Sequence, residues 1–192
     1  MEALQALESQ ALVVLVEGVS DQRALEALAA RRGRDLRAEG ISIVPMMGAH
    51  NIGTFLQRLG PQGSGVGLAG LCDAGEEVHF RRALERVGLG TDLTRAEMEA
   101  LGFYVCVEDL EDELIRALGA AAVERIVDSQ GELGRFRTLQ KQPAQQGRTV
   151  EQQLRRFLGT RSGRKAEYAP LLVNALEPTR VPRPLERLLA HV

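Results

Sequence analysis

The stretch ALVVLVEGVSDQRALEALAARRG, residues 11–33, decides the predicted fold. Its first six residues are apolar and rich in valine, which predicts a buried strand. The residues that follow have helical spacing up to Gly33, and Ser20 is expected to cap that helix. Glu17 closes the strand, and Asp21 comes four residues later. The stretch therefore predicts a strand followed by a helix, with two carboxylates at the point where the strand ends.

The same alternation recurs further along the chain. Apolar runs at 41–46, 65–73 and 102–108 predict three more strands, each separated from the next by a helical pattern. A capping box that begins at Thr94 predicts the start of the short helix before the fourth strand. Such alternation is typical of a mainly parallel sheet with helices on both faces. We therefore predict a Rossmann-like α/β fold with four strands.

Only helical patterns follow residue 119, among them a capping box that begins at Thr149. The proline-bearing end, 177–192, is expected to be a loosely packed tail. The predicted organisation is an α/β domain over residues 10–118 and a helical C-terminal extension over residues 119–192.

Composition excludes several classes of protein. The 192 residues are 44% hydrophobic and 26% charged, and no apolar run approaches the ~18 residues of a membrane span. The first ten residues lack a basic segment, so we expect no secretory signal and no membrane partner. Cys72 and Cys106 lie in apolar runs and are expected to be buried thiols. These features predict a cytoplasmic protein, and they leave the oligomeric state open.

Charge is unevenly distributed, although the formal net charge is only −2. Residues 131–192 contain 12 Lys and Arg against 5 Asp and Glu, whereas residues 1–130 contain 12 against 21. An acidic body with a basic end suits a protein that gathers cations in one part and contacts phosphates with another. The alternative is an ordinary arginine-rich helical surface.

Three of the predicted strands end in carboxylates. In parallel sheets the carboxyl ends of the strands meet at one edge, where like charges repel unless a cation lies among them. Oxygen ligands without clustered His or Cys favour Mg²⁺ or Mn²⁺. The alternative is that the acids stabilise helix N-termini, which explains Glu17 and Asp73 less well because each closes a strand. The acids after the first, third and fourth strands are Glu17 and Asp21, then Asp73, Glu76 and Glu77, then Glu108, Asp109, Glu111 and Asp112.

Lys165 is one of only two lysines, against 22 arginines. A compact ammonium can stabilise charge on a phosphate, so Lys165 is a candidate catalytic residue, although it can also be an ordinary surface lysine.

The glycines of GVGLAG, residues 65–70, come at the start of a predicted strand and not between a strand and a helix, which argues against a dinucleotide fingerprint. Neither lysine follows a glycine, which excludes a nucleotide-binding P-loop.

These motifs resemble the TOPRIM domain, the metal-binding module of topoisomerases, bacterial primases and certain nucleases. The family has a glutamate in an EGxxD context after its first strand, matched here by Glu17 to Asp21. The version in the overcoming-lysogenization-defect (OLD) nucleases is the most similar, through VEGVSDQRALEAL, MGAHNIGTFL and DLEDELIRALG. One departure is that the family's Asp-x-Asp is matched only at Asp73, because Gly75 takes the second position.

The resemblance implies a metal-dependent nuclease that cleaves phosphodiester bonds, with DNA favoured over RNA as the nucleic acid. Glu17 and Asp73 would hold one Mg²⁺ or Mn²⁺, Asp21 and Glu111 would contribute to a second, and Glu76 or Glu77 would substitute for the missing aspartate. Lys165 would be catalytic. The expected nucleic-acid contacts are Arg155, Arg156, Arg161 and Arg164. OLD nucleases usually carry an ATPase domain as well, so the chain is expected to work either alone or with a separately encoded ATPase.

Three other functions remain open from the sequence. A degenerate TOPRIM module would bind metal, nucleic acid or a partner protein without cutting. A nucleotidyl transferase would use the same metal pair but would normally have a primase-like additional domain. A phosphoacceptor signalling domain would need a fifth strand that ends in a lysine, and no clear fifth strand is predicted.

Overall fold

A computed structural model describes residues 6–192 and contains one four-stranded parallel sheet. The strands are β1 (Leu12–Val16), β2 (Ile41–Pro45), β3 (Gly67–Cys72) and β4 (Phe103–Val105), in the order β2-β1-β3-β4. β1 is central and pairs in register with β2 from Leu12↔Ile41 and with β3 from Leu12↔Gly67. The predicted four-stranded parallel sheet is therefore confirmed. Residues 1–5, part of the segment predicted to lack a secretory signal, lie outside the described residues.

Helices cover both faces of the sheet. In chain order they are α1 (Val19–Arg31), α2 (Ile52–Leu59), α3 (Glu77–Arg86), α4 (Arg95–Ala100), α5 (Leu110–Leu118), α6 (Ala120–Ser129), α7 (Leu133–Gln140), α8 (Val150–Leu158), α9 (Arg164–Ala175) and α10 (Arg183–His191). Short 3₁₀ turns occupy Ala49–Asn51, Ala74–Glu76, Pro143–Gln145 and Pro178–Arg180. None of the helices in residues 6–192 is long and apolar enough to cross a membrane.

Two separate cores form because alternate side chains of β1 point to opposite faces of the sheet. Val14 and Val16 pack in one core with α1 and the C-terminal helices, whereas Val13 and Leu15 pack in the other with α2, α3 and α4. β1 is thus buried on both faces, which explains its uninterrupted apolar sequence. The first core contains side chains from both sides of the predicted boundary at residues 118 and 119, and that boundary stays a prediction.

The expectation of a loose C-terminal tail is wrong. Residues 183–191 form α10, which packs against β3 and β4. Leu185, Leu188 and Leu189 are at most 2% exposed and belong to the first core. Their i, i+3, i+4 spacing gives the helix one apolar face, and Pro184 lies in its first turn, where proline is tolerated.

The first helix begins earlier than Ser20, the predicted cap. Gly18 occupies the N-cap position, and its backbone N–H donates to Asp21 Oδ2 at 2.8 Å. The carboxylate of Asp21 satisfies this donor from inside the first turn, so the helix starts at Val19 without a hydroxyl cap. The two capping boxes at Thr94 and Thr149 begin α4 and α8 as predicted.

Candidate metal centre and adjoining basic cleft

Three loops at the carboxyl edge of the sheet bring the predicted acids together. Glu17 follows β1 directly, and its Oε1 accepts a hydrogen bond of 2.7 Å from the backbone N–H of Asp73, the residue after β3. The backbone N–H of Ala74 donates to the carbonyl of Glu108 at 2.9 Å, which fastens the loop after β3 to the loop after β4. The first, third and fourth strand ends are therefore connected at one edge, as expected for parallel strands.

α5 adds two more acids from its N-terminal end. Asp109 caps the helix, because its Oδ1 accepts from the backbone N–H of Asp112 at 2.8 Å. Glu111 lies in the first turn and is only 4% exposed. Its Oε2 accepts a 2.6 Å hydrogen bond from Lys165 Nζ, whereas its Oε1 is buried and has no hydrogen-bond partner. Such an oxygen is costly to bury, so an acceptor of this kind suits a cation.

The electrostatics of the cluster indicate an excess of negative charge. Burial raises the pKa of Asp73 to about 8, with further increases from Glu17, Asp21, Asp109 and Glu111. Burial likewise raises the pKa of Asp21 to about 7, helped by Glu111 and Glu17. The pKa of Glu17 is also raised, mainly by burial and against the hydrogen bond from Asp73. Because the charge of neighbouring acids raises each of these three pKa values, the acids lie within one electrostatic environment.

Glu76 and Glu77 differ in their surroundings. Glu76 lies close enough to Glu17 to raise its pKa, and its carboxylate is 3.6 Å from His79 Nε2. Glu77 is held by Arg95 at 2.7 Å and by Arg81 at 3.7 Å, which directs it toward α4. Of the two predicted substitutes for the missing second aspartate, Glu76 is therefore the better placed.

The hard-oxygen donor set fits a divalent cation in its chemistry. Glu17, Asp21, Asp73 and Glu111 supply carboxylate oxygens, and the unpartnered Glu111 Oε1 is one acceptor that such an ion would satisfy. Within residues 6–192, however, no three His, Cys, Asp or Glu side chains are already gathered around one point as a complete ligand set. Gly75 lies two residues after Asp73, in the 3₁₀ turn Ala74–Glu76, and an added Cβ there would meet nothing within 4 Å.

The basic residues lie on α8, on α9 and in the loops before them. Arg155 Nε donates to Asp109 Oδ2 at 2.7 Å, Arg155 Nη1 lies 3.5 Å from Glu108 Oε2, and Lys165 contacts Glu111, so three ion pairs connect this segment to the acidic edge. Arg156 and Arg148 line an open cleft of about 570 Å³ beside Arg155 and Lys165. Arg148 was not predicted, because nothing in its local sequence distinguishes it from other exposed arginines.

Arg161 and Arg164 lie elsewhere. Arg161 is exposed and pairs with Glu167 on α9. Arg164 is 4% exposed: its guanidinium donates to both oxygens of Glu132 at 3.0 and 3.1 Å, and it lies 4.1 Å from the Phe157 ring centroid. Burial raises the pKa of Glu132, but hydrogen bonds from Arg164 and Tyr168 outweigh it and the pKa is lowered. Arg164 is thus a core residue, and its predicted contact with nucleic acid does not fit its burial.

Comparisons with known proteins agree with this architecture. Residues 11–73 match the family model described as "Overcoming lysogenization defect protein-like, TOPRIM domain". The fold is similar to the C-terminal region of the Burkholderia pseudomallei OLD protein, with a TM-score of 0.69 and 18% identity over 95% of this chain and 96% of that one. The C-terminal region of the Xanthomonas campestris pv. campestris OLD protein gives 0.70 and 21% over 95% and 92%. No curated protein sequence matches the chain significantly.

The raised pKa of Asp73 predicts that the protein loses stability as the pH rises when divalent cations are removed. A carboxyl with a raised folded-state pKa contributes stability that is fully present below its unfolded value near 3.8 and is lost as the pH rises to about 8. Chemical denaturation in EDTA between pH 5 and 9 measures this slope. Asp73→Asn should flatten it, and Asp128→Asn, on the exposed surface of α6, should leave it unchanged. An equal slope in all three proteins would contradict the electrostatic description of the cluster.

Proposed function

We propose that this chain hydrolyses phosphodiester bonds of nucleic acid in a reaction that depends on Mg²⁺ or Mn²⁺. Residues 11–73 match the OLD-like TOPRIM family model, and the fold is similar to that of OLD C-terminal regions. The observation that carries the proposal is the meeting of the Glu17 carboxylate with Asp73 at the sheet edge, beside the buried carboxylate of Glu111. The pKa values of Glu17, Asp21, Asp73 and Glu111 are all raised, chiefly by burial, and the four acids have no histidine among them, which suits a hard cation and not a soft one.

Each of the acids has a proposed role. Glu17 and Asp73 hold one cation, and Asp21 and Glu111 contribute to a second. A divalent cation held by these acids would supply Lewis-acid chemistry, by activating water and by offsetting negative charge on the phosphate. Glu17 is oriented for this role by the hydrogen bond that its Oε1 accepts from Asp73 N–H, which leaves Oε2 outside that contact. Asp21 is oriented similarly, because its Oδ2 accepts a hydrogen bond from Gly18 N–H and its Oδ1 lies outside that contact.

The basic groups act on the phosphate. Lys165 is 43% exposed at its side chain and lies next to the acids, so its ammonium can reach an oxygen of the scissile phosphate and stabilise the charge that develops there. Arg148 and Arg156 line the adjoining cleft and hold flanking phosphates without reading bases. Arg155 orients the acidic edge through Asp109 and contributes positive charge to the same cleft.

A second function, that of a binding module without catalysis, is favoured by one specific observation. Gly75 lacks the carboxylate that the family's Asp-x-Asp provides, and the acids of residues 6–192 are not already gathered into a ligand set of three. Cation binding without cleavage by the full chain would favour this function. By contrast, the phosphoacceptor alternative loses support, because the described residues contain no fifth strand.

Replacement of the two strand-end acids should abolish cleavage. With Mg²⁺ or Mn²⁺ we expect the full chain to nick supercoiled plasmid, and Glu17→Ala and Asp73→Ala to lower the rate by at least about 100-fold, because each removes a ligand of the proposed cation. Gel quantification of nicked and linear product, with EDTA as the blank, measures the rates. Asp128→Ala is the matched control and should keep full activity. Undiminished nicking by Glu17→Ala and Asp73→Ala would exclude this site as the source of the activity.

Restoring the missing carboxylate should strengthen the site. An added side chain at Gly75 has open space and needs no left-handed backbone, so Gly75→Asp is expected to fold and to place a carboxylate two residues after Asp73. We expect roughly tenfold tighter Mn²⁺ binding by calorimetry and a higher nicking rate at limiting metal. Gly134→Asp, at an equally open glycine on α7, is the control. If both variants behave alike, the position of Gly75 is irrelevant to metal binding.

The basic cleft should account for part of the salt dependence of DNA binding. Each phosphate contact contributes about 0.9 to the slope of log K against log salt, so Arg148→Ala or Arg156→Ala should reduce that slope by about one. Fluorescence anisotropy with labelled duplexes in Ca²⁺, at several NaCl concentrations, gives the slopes. Arg180→Ala, in the 3₁₀ turn Pro178–Arg180 and outside the lining of this cleft, should leave the slope unchanged. Identical slopes in all variants would place the nucleic-acid contact elsewhere.

A further inference from the structure

Glu111 is a buried carboxylate whose two oxygens have different surroundings. The residue is 4% exposed, Oε2 accepts from Lys165 Nζ at 2.6 Å, and Oε1 is buried without a partner. A buried carboxylate needs a compensating cation, and among the groups that affect its pKa Lys165 is the one that lowers it through its positive charge. In the described structure the Lys165 ammonium therefore compensates the buried negative charge of Glu111, as a bound divalent cation would.

Lys165 differs from its neighbour Arg164 in how firmly it is held. The Arg164 side chain is anchored by Glu132, by the Phe157 carbonyl at 2.7 Å and by Thr160 Oγ1 at 2.6 Å, which fixes the first turn of α9. The Lys165 side chain is 43% exposed and makes one ion pair. The backbone of Lys165 is thus fixed, whereas its flexible four-carbon stem allows the ammonium to move.

There is space for that movement. Lys165 lines the cleft of about 570 Å³ that also contains Arg148 and Arg156, and it lines a second cleft of about 370 Å³ beside Ser20 and Arg161. The first of these clefts is where a nucleic-acid backbone would lie. An ammonium displaced from Glu111 can therefore enter a space next to the phosphates without any rearrangement of α9.

We propose that Lys165 is a substitute cation for Glu111, and that Lys165 leaves this carboxylate for the phosphate-binding cleft when Glu111 takes up a divalent cation. The inference rests on the proposed function, because it assumes that Glu111 is a ligand. Two cations on one small carboxylate repel each other, so Lys165 and the divalent ion compete for Glu111. The Lys165 ammonium can therefore contact the substrate phosphate only when a divalent cation is bound at Glu111. Competition of this kind is a reciprocal coupling between two binding equilibria.

Calorimetric titration with Mn²⁺ alone tests the competition without any substrate. Lys165→Met keeps the length of the side chain and removes its charge, and we expect about tenfold tighter Mn²⁺ binding, which is within the usual range of such couplings. Lys141→Met is the matched control, because Lys141 is the only other lysine and lies exposed at the end of α7. Equal or weaker Mn²⁺ binding by Lys165→Met overturns the proposal while leaving a metal-dependent nuclease intact.

Lysine NMR on the unmodified protein gives a second readout that does not depend on the folding of Lys165→Met. The chain has two lysines, so ¹³C-lysine labelling yields two side-chain Cε signals, which the Lys141→Met spectrum assigns. On titration with diamagnetic Mg²⁺ we expect the Lys165 signal to shift toward that of exposed Lys141. A Lys165 signal that stays in place while Mg²⁺ binds overturns the proposal. If neither Mg²⁺ nor Mn²⁺ binds to wild-type protein or to Lys165→Met, the metal-dependent function itself is wrong.

Discussion

The parallel pairing of β1 with β2 and β3 is the constraint on which the rest of the structure depends. β1 pairs with a neighbour on each side and is buried on each face, so its direction and register determine where the chain can place its acids. All four strands run the same way, which puts Glu17, Asp73 and the acids of α5 at a single edge. The accumulation of carboxylates follows from topology, and it is unfavourable until positive charge arrives.

The C-terminal helices supply part of that positive charge. α9 packs along α1, and α8 packs against α5, so both reach the acidic edge from the same side of the sheet. Lys165 contacts Glu111 and Arg155 contacts Asp109, whereas Arg164 stays in the core with Glu132 and stabilises the turn that carries Lys165. The buried Arg164–Glu132 pair is therefore structural. Removal of either side chain alone would leave the other charge buried and uncompensated, at a cost of roughly 3–5 kcal/mol of stability. Acidic and basic segments that are far apart in sequence thus form one electrostatic unit.

Much of the fold was predictable because its signals are local. The apolar runs of β1 to β3, the capping boxes at Thr94 and Thr149 and the glycine position in GVGLAG all appear in the structure as expected. The errors were also local in origin. The helix after β1 starts before Ser20 because an acid inside the helix can cap a preceding glycine, and the end of the chain is helical because its three leucines find the first core. A proline-rich end is a weak predictor of disorder when an apolar face is present.

For the candidate site, the sequence by itself determined the residue types and their spacing from the strand ends. That was enough to predict that Glu17 and Asp73 would meet, since parallel strands share an edge. The tertiary structure alone decided which basic residues face them. Nothing in the spacing of Arg155, Arg156, Arg161, Arg164 and Lys165 says that one arginine is buried against Glu132 and that the lysine reaches Glu111. The physical reason is that short-range backbone geometry positions a carboxylate at a strand end. The position of its countercharge depends on how distant helices pack, because Lys165 lies 54 positions after Glu111 in the sequence.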